Sequence, residues 1–380
     1  MERVAIIGIG QTKYEREKEG IFAELVHEAT IKALDDAGMK INDIDNVVTI
    51  SNDFWDGRTI SCMAVADAAG CHGKDASTVE CDGAFGAFYG LMRTLSGYNT
   101  TLVVAHCKVS EGNPKVIFNA AFDPIYERSL GLDAISSAAL QARAYMKRFG
   151  ITEEQCALVS VKNHHNAKNN PYAQLPLDIS VQDVMKSPKL ADPIKLLDTS
   201  PISDGACAII LANERVADKW ARRPIWVKGV AHCTEAYRLG ERELSYSEAL
   251  ERAARKAYQM ADITDPLHQI DVAEVYDAFS YMELMWYEAL GFCGKGEGGK
   301  LIESGKTKMD GELPVNPSGG VLSAHSVLVA GLARIAEATL QLRGEAGKRQ
   351  VPGAKTALAH GANGICAQQH CVWILGSGEK

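Results

Sequence analysis

The chain reads as one α/β unit written twice, and that repetition constrains its fold more than any other feature. In the first half "RVAIIGIG" has the pattern of a buried strand. "IFAELVHEATIKALDDAGM" then carries Phe22, Leu25, Val26, Ala29 and Ala33 at helical spacing, and "INDIDNVVTI" returns as a strand. In the second half "IWVKGVAHC" reads as a strand, "YSEALERAARKAYQMADI" as an amphipathic helix and "LHQIDVAEVYDAF" as a loop entering a strand. The echo continues in "STVECDGAFGAFYGLMRTLSGYNTTLVVAH" and in "PSGGVLSAHSVLVAGLARIAEATLQLRG" followed by "KTALAHG". Each runs turn, helix, strand, and they end in His106 and His360. Two similar α/β halves packed about a pseudo-twofold axis follow. The division falls in "WARRPIW", giving halves 1–222 and 223–380. Residues 113–200 have no counterpart. Their Asn-, Pro- and Lys-rich stretch predicts an inserted loop domain over one face, where substrate contacts gather.

The repeat also singles out side chains. Cys81 stands between an extended segment and a helix, beside Glu80, Asp82 and Gly83, and His325 stands at the matching turn of the second half. If the halves pack face to face, these turns approach and offer a nucleophile–base pair. A thiol at a helix N-terminus has a lowered pKa. Gly83, Ala84 and Gly86 let a ligand or another backbone come close. His325, after Gly319 and Gly320, is a candidate general base or oxyanion donor. Tyr276 and Asp277 lie at a strand end, where functional groups project in α/β folds. Tyr276 carries a phenol suited to a developing oxyanion. In "ALAHGANGICAQQHC", Gly361 and Gly364 suggest a backbone loop facing a ligand. His360 and Cys366 are acid–base candidates in the same stretch, which also crowds His370 and Cys371. These spacings match no familiar zinc pattern, so no metal site is expected. "GKGEGG" lacks G-K-[ST] and follows a helix, which rejects a nucleotide P-loop.

Composition narrows the function further. The 380 residues carry a formal net charge of −8, which argues against nucleic acid or anionic membrane as a partner. Ten scattered cysteines without a C-x-x-C pair read as free thiols. No apolar run approaches a membrane span, and the N-terminus opens directly on a strand pattern, so a cytoplasmic location is expected.

Together these pieces resemble the thiolase superfamily over essentially the whole chain. "ECDGAFGAFYGLMRTLSG" matches the nucleophile helix and "NPSGG…AHSVLVAGLARIAEA" the histidine turn. "NHHNAKNNPYAQ" and "SPISDGACAIILA" are similar to sterol-carrier-protein-type and archaeal thiolases. The resemblance implies duplicated βαβαβ halves in a five-layered αβαβα core, with Cys81 as nucleophile and His325 as base or oxyanion donor. It places Asn316, Gly319, Gly320, Gly361 and Gly364 on the substrate side. Coenzyme A is the implied cosubstrate, with no tightly bound cofactor, and the core is implied to be a homodimer. Lys162 and Lys168 are candidate CoA contacts.

The chain also departs from the family pattern. The usual Gly-His-Pro reads Ala324-His325-Ser326, and the terminal Cys-x-Gly loop reads His360-Gly361-Ala362-Asn363-Gly364. The second catalytic cysteine is therefore displaced, with Cys366 as its replacement or the acid–base role moved elsewhere. Tyr276-Asp277-Ala278-Phe279 and "GFCGKGEGG" are similar to subunits that work beside a small zinc-ribbon/OB-fold partner. Retention of Cys81 implies cleavage of a 3-oxoacyl-CoA by CoA through an acyl-Cys81 intermediate, with benzoylsuccinyl-CoA as a specific aromatic substrate. Two alternatives stay open: a cysteine-independent retro-aldolase or C–C lyase led by Tyr276, and a non-catalytic acyl-CoA-binding subunit.

Overall fold

A computed structural model describes residues 3–220 and 223–378; the division expected at residue 222 lies outside the described residues. Nine strands form one mixed sheet: β1 (Val4–Gln11), β2 (Asn46–Ile50), β3 (Asp75–Val79), β4 (Thr100–Cys107), β5 (Gly205–Asn213), β6 (Ile225–Thr234), β7 (Val272–Glu274), β8 (Thr356–Asn363) and β9 (Gln369–Gly376). Their spatial order is β3-β2-β4-β5-β1-β6-β9-β8-β7. On one side β3, β2 and β4 run parallel, and β5 and β1 follow antiparallel. On the other side β7 and β8 run parallel, and β9 and β6 follow antiparallel. A parallel bridge from Ala273 to Val315 stands where β3 stands in the first half. The halves meet where β1 pairs antiparallel with β6, at Ala5–Trp226 and Ile6–Ile225.

Seven helices place the layers: α1 (Phe22–Ala37), α2 (Gly83–Leu95), α3 (Ala134–Phe149), α4 (Glu153–Ala167), α5 (Glu248–Met260), α6 (Ser280–Ala289) and α7 (Ala330–Arg343). Alternation along the strands explains which helix covers which face. Leu102 and Val104 of β4 pack with α1, whereas Val103 and Ala105 pack with α2 and α7. In the second half Ala357 and Ala359 of β8 face α2 and α7, while Leu358 packs with α5 and α6. The layers are therefore α1, the first half of the sheet, α2 with α7, the second half of the sheet, and α5. This is the expected αβαβα order, with the halves joined edge to edge.

The two outer helices sit equally close, for the same reason. A Cβ at Gly10 of β1 would lie 2.2 Å from the Ala29 carbonyl oxygen, and a Cβ at Gly229 of β6 would lie 2.2 Å from that of Ala257. Residues 113–200 form the insertion. Its helices α3 and α4 bury Ala142, Tyr145 and Val159 against α5 and α6. Tyr281 of α6 donates a hydrogen bond to Gln141 of α3 at 2.8 Å. The insertion thus completes the cover of the second half. No helix among the described residues is long and apolar enough to cross a membrane.

Candidate active site

The turn after β3 is built around Asp82, which is fully buried and caps α2 by accepting the Ala84 N–H at 3.0 Å. Its other oxygen accepts the N–H of Gly331, in the first turn of α7, at 2.6 Å. One carboxylate therefore serves the N-termini of both central helices. Close approach requires glycine at two facing positions. A Cβ at Gly331 would lie 1.9 Å, and one at Gly361 2.3 Å, from Asp82 Oδ1. The Gly83 N–H donates to the Leu328 carbonyl at 2.8 Å and ties the same turn to the chain entering α7. Burial pushes the Asp82 carboxyl up to about 7, while the amides of Ala84, Gly331 and Gly83 pull it back down.

Cys81 stands beside this cap, half-buried, and its thiol points to Gln369 Oε1 at 3.8 Å. That oxygen also accepts from Asn363 Nδ2 at 3.0 Å, and the Gln369 amide donates to Thr234 at 3.2 Å. The lowered thiol pKa expected from the helix N-terminus is not found. Burial, followed by the charges of Asp82 and Glu80, pushes the Cys81 thiol up. A thiol raised in this way needs a base to become the nucleophile.

His325 supplies an imidazole in the second turn, though not at a helix start. A short helical turn spans Gly320–Ser323, and α7 begins only at Ala330. Its Nδ1 meets Ser200 Oγ at 2.9 Å and its Nε2 the Tyr276 hydroxyl at 3.0 Å. Ser203 grips its backbone: its Oγ accepts the His325 N–H at 2.9 Å, and its own N–H donates to the His325 carbonyl at 2.9 Å. Burial, then the Arg334 charge, pushes His325 down to about 4, so it is neutral at neutral pH. Burial pushes the Tyr276 phenol well up, and the carboxyls of Asp82 and Asp277 add to the rise. The Tyr276 O–H therefore stays protonated and donates to Nε2, with Nδ1–H donating to Ser200. The reverse tautomer frees the phenolic proton for a substrate oxygen. Among the described residues no hydrogen bond joins Cys81 to His325. The expected direct pair is replaced by two turns sharing Asp82, which acts electrostatically on both the Cys81 thiol and the Tyr276 phenol.

Other expected site residues are accounted for by protein contacts. Cys366 sits apart with Phe122 and Leu239, hydrogen-bonded to the Ser137 side chain, and burial pushes its thiol up to about 11. His360 is fully buried and bonded to His370, with Nδ1 facing the Tyr276 N–H. Gly361 makes room for Asp82, Gly320 for the Asp277 carboxylate and Gly319 for Ala167. Gly364 is exposed in the β8–β9 turn at φ +79°. Asn316, at φ +54°, accepts from the Val275 N–H at 2.8 Å and donates to Glu283 at 2.7 Å. Their placement on the substrate side is corrected accordingly: four of the five shape the protein's own packing. Lys162 is buried and its Nζ pairs with Glu283 at 2.8 Å, so its charge already has a partner within the protein. Lys168 is exposed and pairs with Asp178 at 3.2 Å. A cavity of about 650 Å³ adjoins them, lined by Lys162, His165, Asn169, Asp178, Met309 and Lys348.

Sequence reasoning missed Asp82 as a shared cap, the Ser200–Ser203 cradle and Gln369. A signal existed for the serines, because "SPISDGACAIILA" was distinctive before its role was visible.

The family described as "Thiolase C-terminal domain-like" matches residues 231–377. The chain is 39% identical over 373 residues to an acetyl-CoA acetyltransferase of Methanothermobacter thermautotrophicus, covering 96% of this chain and 97% of the relative. It is 29% identical over 378 residues to the benzoylsuccinyl-CoA thiolase subunit BbsB of Thauera aromatica, covering 96% and 95%. A solved "Ltp2-ChsH2(DUF35) aldolase" superposes with a TM-score of 0.86 at 24% identity, covering all of this chain and 98% of that one, which is a likeness of fold. The long match to the archaeal acetyltransferase settles the family: this chain belongs to the thiolase superfamily of acyltransferases.

Proposed function

We propose that this protein cleaves a 3-oxoacyl-CoA with free CoA through an acyl-Cys81 intermediate. One observation carries the reading: the Cys81 thiol and the Tyr276–His325 pair lie about one buried carboxylate, Asp82. In the first half-reaction a bond forms between Cys81 Sγ and the 3-keto carbon. The C2–C3 bond then breaks, and its electron pair passes to the enolate of the shorter acyl-CoA. His325, neutral at neutral pH, takes the thiol proton, which ends on C2 of that product. Tyr276 donates a hydrogen bond to the enolate oxygen, a contribution of about 3 kcal/mol for one well-aimed donor. In the second half-reaction the CoA sulfur bonds to the acyl carbon, the Sγ–C bond breaks, and the CoA proton returns to Cys81 through His325. Coenzyme A is the cosubstrate, and the scheme uses no tightly bound cofactor.

The finer assignments belong to the same reading. Benzoylsuccinyl-CoA is the proposed aromatic substrate, supported by the likeness to BbsB. Halves 1–222 and 223–380 are the proposed domains, supported by the duplicated strand order. A homodimeric core is supported by β3, an edge strand whose free backbone groups invite pairing. Exposed Phe54, Ile60 and Met63 lie near it in the chain. A small zinc-ribbon/OB-fold protein is the proposed further partner; BbsB is itself described as a subunit.

A second reading has one observation in its favour. The Tyr276 hydroxyl rests on His325, and the Cys81 thiol is pushed up, which suits C–C cleavage led by the phenol. Brief incubation with acetoacetyl-CoA and with benzoylsuccinyl-CoA, followed by intact mass and peptide mapping, separates the readings. An acyl mass on Cys81 supports the covalent route. Cleavage that survives Cys81→Ser with no adduct transfers the reaction to Tyr276. Acyl-CoA binding without an adduct or cleavage leaves a binding subunit. Light scattering of the purified chain measures the dimer.

A further inference from the structure

Behind Tyr276 runs a buried chain of hydrogen bonds that the proposed mechanism does not use. The Tyr276 N–H meets His360 Nδ1 at 3.3 Å. His360 Nε2 meets His370 Nδ1 at 3.0 Å, and His370 Nε2 meets Ser247 Oγ at 3.0 Å. Ser247 donates to Glu235 Oε1 at 2.8 Å. Both imidazoles are fully buried, and Glu235, at the outer end, is partly exposed.

The direction of every proton in this chain is forced. A backbone N–H can only donate, so His360 Nδ1 accepts and its proton sits on Nε2. That N–H donates to His370 Nδ1, which places the His370 proton on Nε2, facing Ser247. Ser247 caps α5 and also accepts the Leu250 N–H at 3.1 Å, so its hydroxyl proton is left for Glu235. Run in reverse, the Ser247 hydroxyl and the Glu235 carboxylate would face each other as two acceptors. Burial pushes His360 down to about 3 and His370 well below its ordinary value, so each ring carries a single proton. Trp286 closes the arrangement from the other side. Its indole N–H donates to the Tyr276 carbonyl at 2.6 Å, and its ring packs edge-on against His360 and His370 at centroid distances of 5.9 and 4.9 Å. Both backbone groups of Tyr276 are thus held by one cluster, while its phenol rests on His325.

We propose that His370, Ser247 and Glu235 are positioning residues: they fix His360 as the Nε2–H tautomer, so that its Nδ1 holds the Tyr276 amide and aims the phenol at His325. Among the described residues neither Ser247 nor Glu235 makes a hydrogen bond to Cys81 or Tyr276, and both reach Tyr276 through the histidines. The kinetic consequence rests on the thiolase reading above, whereas the tautomer itself does not.

The test is nitrogen-15 NMR of histidine-labelled wild type, read beside His370→Leu and His370→Asn. In wild type, His360 and His370 should both appear as neutral Nε2–H rings. His370→Leu removes the acceptor from His360 and should shift its tautomer signal. Its kcat with acetoacetyl-CoA and CoA should fall about tenfold to a hundredfold, the cost of a small misplacement, with KM within about twofold. His370→Asn restores an acceptor near Nδ1 and should recover both the tautomer and most of kcat. A wild-type His360 protonated on Nδ1 overturns the proposal without any variant, so misfolding of a variant cannot shield it. An unchanged kcat in folded His370→Leu also overturns it, as does a loss that Asn does not relieve. If wild type shows the Nε2–H tautomers and no thiolysis, the relay stands and the thiolase reading fails.

Discussion

The two central turns occupy equivalent places in a duplicated fold and do different work. After β3 the chain passes from Val79 through Cys81 to a helix beginning at Gly83. After the equivalent bridge at Val315, fourteen residues lie between the strand and α7. They include left-handed Asn316 and Gly319 and a short helical turn. The short turn holds its thiol against a helix cap. The long one lifts His325 off the helix and onto Tyr276 and Ser200. The caps differ too: α2 has Asp82, whereas α7 has Val329 at its N-cap position, with no side-chain cap of its own, and borrows Asp82 across the interface. Duplication supplied two similar frames. The longer second turn is what places His325 against Tyr276 and Ser200.

The comparison can be broken in four ways. The largest expected effect is on Cys81. Cys81→Ala should lower thiolysis by about a thousandfold or more, as loss of a nucleophile does, with little change in melting temperature. Steady-state rates with circular dichroism check both parts. Next is the shared cap. Asp82→Ala leaves two buried amides without an acceptor and should cost about 2–6 kcal/mol in urea unfolding, at about 1–3 kcal/mol per group. Gly331→Ala should be destabilising in the same assay, because its Cβ would fall 1.9 Å from the Asp82 carboxylate. If only α2 frays in hydrogen exchange of Asp82→Ala, the cap is not shared.

Tyr276→Phe should lower kcat about a hundredfold, the effect of removing one oxyanion donor, and leave the acyl-CoA KM nearly unchanged. The smallest effect is in pH. Burial depresses the folded pKa of His325 from 6.5 to about 4, so its neutral form is present above that value and is lost as pH falls through it. The acid limb of kcat/KM should therefore lie near pH 4. A limb at 6.5 would mean that His325 is solvated in the working enzyme.

Much of the frame was legible from residue types. The helical spacing of Phe22, Leu25, Val26, Ala29 and Ala33 appears as the buried face of α1. Cys81 was placed at a strand-to-helix turn for the same local reason. The thiol's pKa was not legible, because its shift comes from burial and from Asp82 and Glu80 together, and burial is set by segments hundreds of residues away. Glycines were misread in one consistent way. Gly320 and Gly361 looked like ligand cradles, yet the groups that fill the space are the Asp277 and Asp82 carboxylates. A missing Cβ records that something comes close and not what it is. Cys366 was drawn in by chemistry alone, and it sits apart with Ser137, Phe122 and Leu239.

The sequence by itself determined the duplicated α/β halves, the order of their elements and the two turns on which Cys81 and His325 lie. Periodicity, turn residues and repetition are local properties of a chain. Only the tertiary structure decided that Asp82 serves both helices, that His325 is bound to Tyr276 and Ser200, and that His360 is bound to His370. Each of these is a contact between distant residues, selected by which polar groups are buried together and must satisfy one another.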